Sequence, residues 1–458
     1  MSTNIQKNQI TEGIIWRQLL LFFFPILLGT FFQQLYNTID SVIVGQFVGK
    51  EALAAVGGSS AQIVAFVVGF FTGLSSGASV TIAQFFGAKD SRSANKGLHT
   101  AYAIAAFGGL ILTVSGIILT PFLLEMMNTP ADIVADSAVY LRIYFAGIIF
   151  VLIYNRGSAI LRATGDSKRP LYYLIVCCII NIVLDVLFVI VFHMGVMGVA
   201  VATLIAQAVS AVLVTLKLMR SEGILKLSVK QIRFHGSILK MQLKLGLPTG
   251  FEAILFSITN IAIQSAVNTF GTDTTAAWSA YGKLDAIFWM VSTAFGIAIT
   301  TFVGQNYGAG KMDRVRKSTR VCLLMDFIVS AVLVVFLIAA RFLLFRLFTN
   351  DSHVIEIGCD MLVLITPWYI VYVFIEVIAG ALRGVGNVVV PVAITLLGVC
   401  VLRIAWLAAM LKISPTISAI ILSYPVTWVI TALAFIIYYI YITHKTIAGS
   451  SKKHVPKL

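Results

Sequence analysis

Leu161-Arg162-Ala163-Thr164-Gly165-Asp166, with Pro170 behind it, returns as Leu382-Arg383-Gly384-Val385-Gly386-Asn387, with Pro391 behind it, at an offset of 221 residues. A second pair of segments keeps that offset: Ala83-Gln84-Phe85-Phe86-Gly87-Ala88 and Gly304-Gln305-Asn306-Tyr307-Gly308-Ala309. Pro25 and Pro248 each stand early in the first apolar run of a half. Two separate motifs sharing one offset mark an internal repeat, the signature of a duplicated architecture.

The duplicated unit is a set of apolar runs. Of 458 residues, 59% are hydrophobic and 11% charged, whereas a soluble domain carries roughly 25% charged residues. Twelve spans are read near 17–48, 56–86, 98–122, 139–160, 171–192, 196–217, 246–269, 276–306, 321–345, 361–382, 389–411 and 417–442. Each is about twenty residues or longer, enough to cross a bilayer core. The sequence therefore predicts an all-α polytopic membrane protein of twelve transmembrane helices in two six-helix lobes. An even number of spans per half brings both copies in from the same face, which makes the repeat parallel. The expected division is a lobe at 1–217, a polar linker at 218–245, and a second lobe with its tail at 246–458.

The net charge of +14 is unevenly spread. One set of loops holds Lys89, Arg92 and Lys96; Arg162, Lys168 and Arg169; Lys311, Arg314, Arg316, Lys317 and Arg320; the linker lysines and arginines; and the tail lysines Lys445, Lys452, Lys453 and Lys457. The opposite set has only Lys50, Arg341, Arg346 and Lys412. The positive-inside rule places both termini and the linker in the cytoplasm of a multi-pass protein of the inner (plasma) membrane. The basic surplus is thus a topology signal, and nucleic-acid binding is not expected. The polar start and the long first apolar run argue against a cleaved signal peptide. Cys177, Cys178, Cys322, Cys359 and Cys400 lack metal-ligand spacing, and their odd number gives no disulfide framework. No phosphate loop, nucleophile–base pair or histidine cluster is present, so neither an enzyme nor a resident cofactor is expected.

Ionisable groups inside spans are costly and mark function by default. Asp40, Asp185, Glu252, Asp285 and Glu376 qualify, with Asp326 near a span end. Asp40, Asp185 and Thr203 all fall about 10 Å below the outer surface at 1.5 Å per residue. Asn181 is one turn from Asp185 on the same helix face. Two carboxylates, an amide oxygen and a hydroxyl at one depth suit a hard cation such as Na⁺, or the two carboxylates share a proton. The second half does not keep the set: Leu402 and Trp406 stand where Asn181 and Asp185 would recur, and Ala262 or Ile263 where Asp40 would. One coupling site, in the first lobe, is the expectation. In the second half Glu252 and Glu376 either face a cleft or pair with Arg383 or Lys283 as structural locks. Candidate substrate-cleft residues are Tyr36, Asn37, Glu252, Lys283, Asp285 and Glu376, with Phe288 and Trp289 as aromatic walls suited to cations.

Thr11-Glu12-Gly13, Pro25, Tyr36-Asn37-Thr38-Ile39-Asp40, Asn181-x-x-Leu184-Asp185 and the paired repeat motifs together resemble the multidrug and toxic-compound extrusion (MATE) family, in particular its DinF-like prokaryotic branch. The resemblance covers nearly the whole chain. It implies a twelve-helix V-shaped fold and export of small organic cations in exchange for Na⁺ or H⁺. A cleft between the two parallel lobes that opens alternately to each side is the expected mechanism, and the protein is expected to act as a monomer in the bilayer. The resemblance carries the family's first-lobe cation site onto Asp40, Asn181, Asp185 and Thr203. Another branch uses a seventh-helix glutamate, but Glu252 stands about one turn too early for that pattern. The alternative reading is a flippase of a lipid-linked precursor with the same two-lobed architecture.

Overall fold

A computed structural model describes residues 9–449, which are helical apart from short turns and the central linker. The tail lysines Lys452, Lys453 and Lys457 lie outside the described residues. Twelve helices among the described residues are long and apolar enough to cross a membrane. They are α1 (Ile15–Phe47), α2 (Lys50–Gly87), α3 (Ser91–Met126), α4 (Val134–Ala163), α5 (Lys168–Val191), α6 (Gly195–Met219), α7 (Gly236–Asn268), α8 (Thr272–Gly308), α9 (Met312–Arg346), α10 (Ser352–Gly384), α11 (Val389–Ile413) and α12 (Ile417–His444).

Each expected span corresponds to one of these helices, but several helices run past the apolar run at the basic end. The α3 helix begins at Ser91 rather than 98, where the Asp90 side chain accepts the Ser93 N–H at 3.0 Å as an N-cap. Hydropathy reads the bilayer, whereas capping and backbone bonding set the helix ends. Asp326 is consequently not near an end but well inside α9. Several helices are locally irregular. Pro367 lies in the single 3₁₀ turn Thr366–Trp368 that interrupts α10. The C-terminal part of α5 is a π-helical turn, Val186–Val191, and α11 contains another at Leu396–Val401. Such turns recur at functional sites.

The chain packs as two compact units, Leu21–Phe251 on the one hand and Glu252–Leu458 with the N-terminal segment up to Leu20 on the other. The divisions fall inside α1 and α7, the first helix of each half, rather than at the linker.

Packing within the first unit explains one of these cuts. Gly73 and Gly77 on α2 meet Gly246 and Gly250 on α7. A methyl at Gly77 would overlap the Gln242 carbonyl oxygen, and one at Gly246 would overlap that of Leu74. These paired small-x-x-x-small faces let two backbones touch, the usual device for helix association in lipid. Arg156, 2% exposed, donates from Nη1 to Leu74 O at 2.9 Å beside this crossing. The expected linker at 218–245 is shorter, because 236–245 are the first turns of α7. What remains is strapped to α3. Asn95 Nδ2 donates to the carbonyls of Ile224 and Lys226, both at 3.1 Å. The Ser228 N–H donates to His99 Nε2 at 3.0 Å, so the ring proton sits on Nδ1 and is given to Asn95 O at 2.8 Å. Gln242 Nε2 donates to Gly97 O at 3.0 Å, and Leu227 is 2% exposed. A polar stretch that reads as a tether is thus a docked part of the first unit.

In the second unit α8, α10 and α12 share one apolar core around Phe288, Tyr369 and Trp428. The N-terminal segment is held here by cations on its carbonyls. Arg314 donates from Nε and Nη2 to Ile10 O at 3.2 and 2.9 Å and from Nη2 to Gly13 O at 2.6 Å, while Lys311 Nζ reaches Thr11 O at 3.0 Å. This accounts for the cut inside α1. The five cysteines are free and buried.

Candidate functional site

The four residues expected to form a coupling site converge in the first unit. Asp40 comes from α1, Asn181 and Asp185 from successive turns of α5, and Thr203 from α6. Thr203 Oγ1 donates to Asp40 Oδ2 at 3.4 Å, and Asn181 Nδ2 donates to Thr203 Oγ1 at 3.5 Å. The Asp40 and Asp185 carboxyl groups lie within hydrogen-bonding reach of each other. Burial is nearly complete, with Asp185 at 0%, Asn181 at 1%, and Asp40 and Thr203 at 7% exposure.

The hydrogen bonding is unbalanced. Asp40 Oδ1, Asn181 Oδ1 and both Asp185 oxygens are buried without any donor from the protein, and none of these acids is in a salt bridge among the described residues. A buried, unpaired acceptor costs about 1–3 kcal/mol, more if charged. Four such oxygens in one place, with two negative charges in contact, are compatible with a low-dielectric interior only when something positive joins them. The donor set fits a hard cation, or a proton held between the carboxylates. Asn37, in contrast, is exposed on α1 and takes no part in the cluster.

The other candidates fall in the second unit and resolve differently. Asp285 accepts from Trp289 Nε1 at 2.7 Å, Tyr369 OH at 2.5 Å and Tyr281 OH at 3.3 Å, so its charge is met by three donors. Phe288 is fully buried and stacks on Tyr369 with centroids 3.9 Å apart, which makes it core rather than the expected aromatic wall. Glu376 pairs with Arg383 at 3.0 Å, the lock considered above. Glu252 is half-buried with Arg383 and Glu376 as electrostatic neighbours. Lys283 is exposed.

Sequence reasoning attended to acids and passed over two arginines inside spans. Arg156 has been described. Arg403 is 1% exposed, donates to Thr427 Oγ1 at 3.0 Å, and lies over the Tyr424 ring at 4.0 Å. A basic residue inside an apolar run was the available signal for both. Gln207 was also passed over, because a glutamine is not costly enough in a span to stand out, whereas Tyr36, expected in a cleft, is buried at 5% exposure and accepts from Gln207 Nε2 at 3.1 Å.

The MatE family model matches this chain twice, at residues 25–187 and 248–407, once in each half. The probable multidrug resistance protein YoeA of Bacillus subtilis is 30% identical over 393 residues, covering 84% of each chain. The probable multidrug resistance protein NorM of Thermotoga maritima is 27% identical over 420 residues, covering 89% of this chain and 88% of its own. Among solved structures, an outward-facing MATE transporter of the MOP superfamily superposes with a TM-score of 0.89 at 20% identity over 97% of this chain and 99% of its own. A MOP-superfamily transporter from Pyrococcus furiosus, described as having a binding pocket of reverse polarity, superposes with a TM-score of 0.90 at 20% identity over 99% of this chain and all of its own.

Proposed function

This chain belongs to the MATE family, and we propose that it is a secondary multidrug exporter that moves small organic compounds, chiefly cations, out of the cell by alternating access in exchange for Na⁺ or H⁺. The observation that carries the coupling part is the contact of two buried carboxylates beside two neutral oxygens, with four oxygens left without a donor. Binding a cation or proton there removes the electrostatic cost of bringing Asp40 and Asp185 together, so occupancy shifts the balance between conformations of the first unit.

The second unit offers no comparable set. Asp285 is saturated with donors and Glu376 is paired, so both act as structural groups in this reading. The clustering of Lys and Arg at one end supports a cytoplasmic side for both termini and the docked linker in this reading. The relatives' names point to drug export rather than to lipid translocation.

Purified protein in proteoliposomes, loaded with a fluorescent organic cation and given an inward Na⁺ gradient or a pH gradient separately, tests the proposal. Drug movement driven by one of the two gradients supports it, and the responding gradient names the ion. Movement with neither gradient imposed, or driven only by an added nucleotide, contradicts it.

A further inference from the structure

A second polar tier underlies the carboxylate cluster, displaced by one turn on each of three helices. Tyr36 is four residues before Asp40 on α1, Cys177 four before Asn181 on α5, and Gln207 four after Thr203 on α6. Because α6 runs opposite to α1 and α5, all three steps point the same way, about 6 Å toward the basic end of the first unit.

The tier is closed by hydrogen bonds. Gln207 Nε2 donates to the Tyr36 hydroxyl at 3.1 Å. Within α6 the Ser210 hydroxyl donates back to the Gln207 backbone carbonyl at 2.8 Å, and across to α5 the Cys177 thiol lies within hydrogen-bonding reach of Ser210. Exposure is 5% for Tyr36, 1% for Cys177, 9% for Gln207 and 0% for Ser210. Beyond it α6 presents buried Ala211, Val214 and Leu218, which offer an ion no ligand.

We propose that the Tyr36–Gln207 hydrogen bond is the inner latch of the cation site. It separates the carboxylates from the basic end and must break for a bound ion to leave on that side. The proposal rests on the coupling reading above and adds to it the route of release. An antiporter needs its ion to be reachable from only one side at a time. A single hydrogen bond between neutral groups suits that task, since it closes the tier yet yields readily when the helices move. Tyr36 and Gln207 are thus positioning residues: they control access to the ion without being its charged ligands.

Cys177 is a built-in reporter of the latch. The test uses protein in which Cys177 alone is kept and Cys178, Cys322, Cys359 and Cys400 are replaced by alanine. A small thiol reagent is applied to either face of oriented vesicles, and ion leak is measured without drug. Tyr36→Phe and Gln207→Leu should raise the rate of Cys177 modification from the basic side by roughly fivefold or more, the effect of losing one neutral hydrogen bond. Modification from the opposite side should be unchanged, and the coupling ion should leak without drug. Tyr36→Phe removes only an oxygen, so it keeps the test alive should Gln207→Leu fold poorly. Unchanged modification and no leak in a folded variant would overturn the latch, as would equal acceleration from both faces, which indicates loosened packing. Modification is read without transport, so it reports on the latch even if Asp40→Asn proves fully coupled, the result that would sink the coupling reading instead.

Discussion

The Thr203 hydroxyl meets Asp40 Oδ2 at 3.4 Å across 163 residues of sequence, and the same hydroxyl receives the Asn181 amide at 3.5 Å. Thr203 therefore bridges α1 and α5 while its own oxygen stays neutral. In the proposed ion site Asn181→Ala and Thr203→Ala each remove one neutral oxygen, worth roughly 1 kcal/mol or about fivefold in ion affinity. Both variants should still transport, with the ion concentration at half-maximal rate shifted upward. Rate-against-ion titrations in proteoliposomes check this, and complete loss of transport in Thr203→Ala would show that the hydroxyl does more than ligate.

Asp285 gives the opposite expectation. Three donors converge on it from Trp289, Tyr369 and Tyr281, so Asp285→Asn turns an amide N–H₂ toward groups that need an acceptor. Tyr369→Phe removes one donor and leaves the stack on Phe288 intact. Thermal unfolding in detergent should show Asp285→Asn destabilised by about 1–3 kcal/mol and Tyr369→Phe by about 1 kcal/mol, each retaining ion coupling. An Asp285→Asn protein with wild-type stability but no coupling would move the coupling chemistry into the second unit.

The crossing of α2 and α7 admits no side chain. Gly77→Ala and Gly246→Ala place a methyl against backbone that has no rotamer to yield, so both should cut the yield of folded protein sharply. Gly282→Ala is the control: nothing lies within 4 Å of its added methyl, and alanine stabilises a helix interior by roughly 0.5–1 kcal/mol. Size-exclusion profiles of matched preparations distinguish the three. A well-folded Gly77→Ala protein would contradict the close backbone approach.

Docking of the linker should weaken in acid. Burial, then the nearby Arg233, Lys96 and His99, hold His235 below the ordinary imidazole value, and Arg233 Nε donates to its Nε2 at 3.4 Å. A depressed imidazole binds fewer protons docked than free. The His235 contribution to docking is therefore complete above the ordinary imidazole range and declines as pH falls through it. A spin label at exposed Val229 (Val229→Cys) should gain mobility between pH 8 and about 5.5. Mobility independent of pH would show that His235 does not report on docking.

Much of the fold was legible because apolar runs of bilayer length constrain a chain strongly and the repeat at Leu161 and Leu382 fixed how the runs are paired. The convergence of Asp40, Asn181, Asp185 and Thr203 was legible for a related reason: depth along a helix follows from counting residues when both ends are pinned to membrane surfaces. What was not legible depended on who touches whom. Glu376 and Arg383, seven residues apart, allow several pairings on paper, and only packing selects one. Asp285 reads as a cleft acid until three aromatic donors from two helices are seen around it. The linker reads as a polar connection because its anchors, Asn95 just before an apolar run and His99 at the start of it, are polar residues that carry no signal of their own.

The central claim is that Asp40 and Asp185 act on one ion. Its most direct test is gradient-driven drug transport by Asp40→Asn, Asp185→Asn and the double variant, at matched reconstitution, beside the unaltered protein. Substituting either carboxylate leaves about one charge to offset the desolvation of the ion, a deficit of several kcal/mol. Each single variant should therefore lose ion-driven transport while remaining folded. The double variant should be little worse than either single one, because residues acting as a unit are not additive. Normal transport by both single variants, with Glu252→Gln inactive, would contradict the account and place coupling in the second unit.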